Sequence, residues 1–137
     1  YQAYDSSLVY NPNNVITLNN YAYYLALEGK QLQKALEMSS KCVQLEPENC
    51  TYIDTHAWVL FSLGRYEEAR AYADKIVALN PEMGYVELHH NGDIYAKCGD
   101  IDKAVEFWTK ARDAGDTGKV LSKKIKKRKY YPNAKRR

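Results

Sequence analysis

Small residues and glycines return along this chain at a nearly fixed interval. Ala22, Ala57 and Gly92 stand 35 and 35 residues apart, as do Gly29, Gly64 and Gly99. Ala35, Ala69 and Ala104 are spaced 34 and 35, and Pro12, Pro47 and Pro81 are spaced 35 and 34. A fixed period of this length marks supersecondary units too small to bury their own apolar faces, which therefore stack copy upon copy. A chain of 137 residues could otherwise close as one compact domain, so it is the period and not the length that decides.

The physical content of the period is a helical hairpin. In 51–63, Ile53, Ala57, Leu60 and Phe61 follow the three-and-four spacing that paints one face of a helix. Gly64 suits the left-handed conformation that ends a helix, which a residue without Cβ adopts freely. Tyr66, Ala69, Ala73, Ile76 and Val77 paint a second helix, and Pro81 stops it. Ala57 and Ala69 are small because the two antiparallel backbones approach closely there. Related stretches, LNNYAYYLALEGKQLQKALEMSSKCVQLEP at 18–47 and LHHNGDIYAKCGDIDKAVEFWTKARDAG at 88–115, repeat the arrangement.

This pattern resembles the tetratricopeptide repeat family, most closely through Ile53, Ala57, Leu60, Gly64, Tyr66, Ala69 and Pro81. The resemblance covers about residues 1–118. It implies an all-α solenoid of stacked antiparallel helix pairs in a right-handed superhelix, with a C-terminal capping helix. The expected parts are the second helix of a truncated repeat (1–12), repeats at 13–47, 48–81 and 82–115, a basic capping helix (116–131) and a disordered basic tail (132–137). His56 and Asn91 occupy a slot where the family prefers leucine, and Ser39 and Ala73 stand where it has a large residue.

Charge divides the chain. Residues 1–118 hold 17 acidic and 10 basic residues, a net of −7, whereas 119–137 hold 10 basic residues and no acid. Val120, Leu121 and Ile125 form a narrow apolar stripe on the basic helix, which suits a terminal cap with one apolar and one polar face. The alternative is contact with nucleic acid or an anionic membrane surface through Lys123, Lys124, Lys126, Lys127, Arg128 and Lys129, driven by phosphate neutralisation and weakened by salt. No apolar run reaches membrane length. Cys42, Cys50 and Cys98 have no disulfide or zinc spacing; Cys42 lies on an inward stripe, and Cys50 and Cys98 sit near helix ends.

No nucleophile with a base, metal cluster or phosphate loop is evident, and neither a cofactor nor a metal is expected. His89 and Asp93, four apart on one helix face, are the best candidates for a metal pair or an oriented base, yet two ligands are too few. The chain reads instead as a non-catalytic scaffold that binds a protein or peptide. In the resembling family, first helices line the concave surface. The matching positions are Asn19, Tyr23, Leu27, Asp54, Trp58, Phe61, Ser62, His89, Asp93 and Lys97, with Tyr23 and Trp58 as aromatic anchors. The lysine, arginine and asparagine clamp of the family's chaperone-tail binders is absent, and Asp54 and Asp93 would repel a carboxylate. A neutral or basic, aromatic-bearing segment fits better. The lone first helix, with Tyr1, Tyr4, Leu8 and Val9 short of a partner, is expected to fray or to pair with a second copy.

Overall fold

The structure, a computed structural model, describes residues 2–79 and 82–133. Expectations that fall on Tyr1, Pro81 and the last four residues of the tail lie outside the described residues. Eight α-helices and no strand occur among those described: α1 (Gln2–Tyr10), α2 (Val15–Glu28), α3 (Leu32–Leu45), α4 (Cys50–Ser62), α5 (Tyr66–Leu79), α6 (Tyr85–Lys97), α7 (Ile101–Asp113) and α8 (Lys119–Lys127). They form two compact units, the first ending at Arg65 and the second beginning at Tyr66. In the first, α1 packs on α2, α2 on α3 and α4, and α3 on α4; in the second, α5 packs on α6, α6 on α7 and α7 on α8.

Local chemistry sets the helix ends. Asn14, Asn49 and Asp100 cap α2, α4 and α7 by accepting from the backbone N–H of Thr17, Tyr52 and Lys103 at 3.2, 3.3 and 3.2 Å. The periodic glycines end the first helix of each pair: Gly29, Gly64 and Gly99 have φ of 67°, 79° and 87°. The residue after each donates to a carbonyl five positions back: Lys30 to Leu25, Arg65 to Leu60 and Asp100 to Tyr95, at 3.0, 2.9 and 3.0 Å.

The small positions at the helix crossings are fully closed: Ala22, Ala35, Ala57, Ala69 and Ala104 are all buried. The departures from the family pattern are matched in space. His56 Nδ1 on α4 lies 2.7 Å from Ser39 Oγ on α3, and Asn91 Nδ2 on α6 donates to the Ala73 carbonyl on α5 at 3.3 Å. Each polar residue in the leucine slot thus meets the small residue of the preceding helix; the hydrogen bond compensates part of the buried polar group, although Asn91 Oδ1 has no hydrogen-bond partner among the described residues. No α1 residue is buried; Tyr4 packs at 5.2 Å from Tyr21 and 6.2 Å from Tyr24, and Val9 and Tyr10 are 78% and 91% exposed. α8 turns Leu121 and Lys124 inward and leaves Lys119, Lys123 and Lys126 exposed.

Candidate functional site

In the first unit, α2 and α4 pack side by side, and neither contains a lysine or arginine. Each α4 residue from Tyr52 to Phe61 is buried. Asp54, Trp58 and Phe61, expected as groove anchors, are 6%, 6% and 8% exposed. Trp58 and Phe61 stack on each other, centroids 4.4 Å apart and planes 7° apart. Tyr23, Leu27 and Ser62 remain half-buried, with Ser62 Oγ donating to the Ala26 carbonyl at 3.4 Å. Asn19 is 7% exposed, and its side-chain Oδ1 has no hydrogen-bond partner among the described residues.

In the second unit the three remaining expected residues separate. Lys97 is exposed, its Nζ 4.6 Å from the Tyr130 ring and 5.6 Å from the Tyr66 ring. Asp93 is completely buried and therefore does not face a partner. Its Oδ1 accepts from Lys124 Nζ at 2.7 Å and Trp108 Nε1 at 3.0 Å, and its Oδ2 from Asn133 Nδ2 at 3.2 Å. His89, half-buried, lies with Nε2 2.8 Å from Lys124 Nζ and Nδ1 2.9 Å from Asp116 Oδ2. Burial is the largest influence on both basic groups and lowers each below its ordinary value; for Lys124 the neighbouring Asp93 carboxylate opposes that shift.

Lys124 stands apart from the other lysines of α8. It is fully buried, so it leaves the solvent-facing basic set, in which Lys123, Lys126, Lys127, Arg128 and Lys129 remain exposed and Arg128 pairs with Asp102. Its ammonium also fills the space between His89 Nε2 and Asp93 Oδ1, 3.9 Å apart, where a shared metal or substrate proton would have to sit. Asp116 and Asn133 were not foreseen as members of this cluster. The available signal was positional: Lys124 falls between Leu121 and Ile125 on the inward stripe of α8.

The thiols are quiet. Cys42 and Cys98 donate to the carbonyls of Val15 and Tyr66 at 3.6 and 3.4 Å, and burial pushes each up to about 11. Cys50 is partly exposed. No helix among the described residues is long and apolar enough to cross a membrane.

Residues 54–83 match a family model described as tetratricopeptide repeat. Among solved structures of similar fold, a thermophilic TPR protein of Thermus thermophilus is 14% identical, with a TM-score of 0.72 over 93% of this chain and 70% of that one. The first TPR domain of the human RPAP3 protein is 16% identical, with a TM-score of 0.73 over 86% and 91% of the two chains. The first TPR of Spaghetti (RPAP3), solved with the HSP90 peptide SRMEEVD, is 15% identical, with a TM-score of 0.72 over 83% and 89%. At such identities the likeness speaks for the fold. With the matched repeat, the recurring helix pairs and the shared architecture together, the chain has an all-α helical-solenoid fold like that of tetratricopeptide-repeat proteins, and residues 54–83 match one such repeat.

Proposed function

We propose that the chain is a non-catalytic protein-interaction scaffold, and that a partner segment lies along the α2–α4 face of the first unit. Asn19 carries this reading. A buried acceptor without a partner among the described residues costs roughly 1–3 kcal/mol, and if the Asn19 side chain turns toward solvent a backbone N–H of a segment laid across α2 would satisfy it. Tyr23 and Leu27 follow at four-residue intervals on the same helix, half-open, and offer aromatic and aliphatic surface beside it. The likeness in fold to the first TPR of Spaghetti (RPAP3), which was solved with a peptide, supports the class of function.

The chemistry of the face narrows the partner. With no lysine or arginine on α2 or α4, and with Asp54 on α4, an acidic peptide ending in a carboxylate such as SRMEEVD finds no cation there. A neutral or basic segment bearing an aromatic suits it better. A peptide array probed with the full chain, followed by calorimetry of the strongest ligands, tests this. Neutral or basic aromatic peptides should bind, SRMEEVD should not, and Asn19→Leu and Tyr23→Ala should each weaken binding by about 1–2 kcal/mol. Preference for acidic C-terminal peptides, or full affinity in both variants with the fold intact, would move the interface off this face.

A further inference from the structure

The second unit holds a closed polar cluster that the scaffold reading leaves unused. Lys124 has three ammonium hydrogens and three acceptors: Asp93 Oδ1 at 2.7 Å, His89 Nε2 at 2.8 Å and Asn133 Oδ1 at 2.7 Å. For Nε2 to accept, the imidazole must be neutral and carry its single proton on Nδ1, where it donates to Asp116 Oδ2 at 2.9 Å. Both ring nitrogens are then satisfied. A second proton has only Nε2 to occupy, and it would aim an N–H at an ammonium 2.8 Å away, donor against donor. Moving a proton from Lys124 to the ring leaves the proton count unchanged, so uptake of an extra proton always sets two cations side by side.

We propose that His89 is a proton-operated latch for α8: neutral, it holds Lys124 and docks the helix; protonated, it displaces Lys124 and releases α8 and the segment through Asn133. The groups facing the ring are Asp93 from its own helix, Asp116 from the α7–α8 connection and Lys124 from α8. The uncharged Trp108 indole and Asn133 complete the cluster, together with Tyr130, whose phenol burial pushes up to about 12 and so keeps protonated throughout the range used below. Asp93 and Asp116 favour the imidazolium and Lys124 opposes it. When α8 departs, the opposing charge leaves with Lys124 while the carboxylates stay. The open form therefore takes a proton more readily than the closed one, whose buried ring titrates below the ordinary histidine value of 6.5. By linkage, docking is complete at high pH and weakens as pH falls from the open-state value towards the closed-state value.

Amide hydrogen exchange on the full chain, corrected for intrinsic rates between about pH 7.5 and 5.5, reads the opening of α8. The opening constant for 119–127 should rise towards about tenfold per pH unit within this window, while α2–α4 stays level. His89→Gln, which cannot take the proton, should flatten that slope whatever its absolute protection. In Lys124→Met the ring is still partly buried but loses its opposing cation, so its NMR titration should move upward. The latch is overturned by an α8 profile in the native chain that is flat over this range. It is equally overturned if the slope survives in His89→Gln, or if the histidine titration does not move in Lys124→Met.

Discussion

Gly92 has no room for a methyl group: a Cβ there would lie 2.2 Å from Trp108 Cδ1. The indole cannot retreat freely, because it is fully buried and its Nε1 is tied to Asp93. Helix propensity alone favours alanine over glycine by about 1 kcal/mol, yet overpacking a core typically costs about 1–3 kcal/mol, so Gly92→Ala should lower stability by about 1–2 kcal/mol in denaturant melts. A stabilised variant would mean that the ring turns aside at little cost. The same comparison of magnitudes changes how Trp58 should be used. Stacked on Phe61 and buried, it would lose about 3–5 kcal/mol of stability on truncation to alanine, which would mask any effect on binding. Half-open Tyr23 is the cleaner probe of the α2–α4 face.

Among the elements, α8 carries one buried ion pair beside its apolar stripe. Lys124 and Asp93 are both fully buried at 2.7 Å, and removing one partner of such a pair strands a charge at a cost of about 3–5 kcal/mol. Lys124→Leu should therefore destabilise the chain by that order, and Asp93→Leu likewise. The double variant should recover most of the loss, since replacing both charges by apolar groups leaves nothing stranded. Additive losses in thermal melts would show that the pair does not couple α8 to α6. The helix pairs and their glycine ends at 29, 64 and 99 were legible in the sequence because their causes act within one turn; the caps Asn14, Asn49 and Asp100 act within three residues but were not singled out there. The pairings of His56 with Ser39 and Asn91 with Ala73 were visible only as oddities in two slots, because each partner lies 17 or 18 residues away on another helix. Lys124 was misjudged for the same reason. In a run of lysines its solvation is the ordinary expectation, and only Asp93, 31 residues earlier, makes its burial tolerable.

Across the whole molecule, an acidic stretch with a net of −7 through Gly118 precedes a segment of 10 basic residues, and the basic residues serve two separate ends. Lys124 is enclosed within the second unit, whereas Lys123, Lys126 and Lys127 face solvent. Exposed charges are screened within about 8–10 Å at physiological salt, but a buried pair is screened far less. Docking of α8 and attraction to polyanions should therefore respond differently to salt and to substitution. Heparin, as a sequence-neutral polyanion, makes the separation measurable. Replacing Lys123, Lys126 and Lys127 together with glutamine should reduce both heparin affinity and its salt slope, while shifting stability by no more than about 0.5 kcal/mol, as surface changes do. Lys124→Gln should do the reverse, lowering the melting temperature at every salt concentration while the salt slope of heparin binding, measured below that melting temperature, stays the same. If Lys124→Gln instead weakened heparin binding as the others do and left melting unchanged, Lys124 would belong with the solvent-facing lysines, and the ion pair would not be what fastens α8.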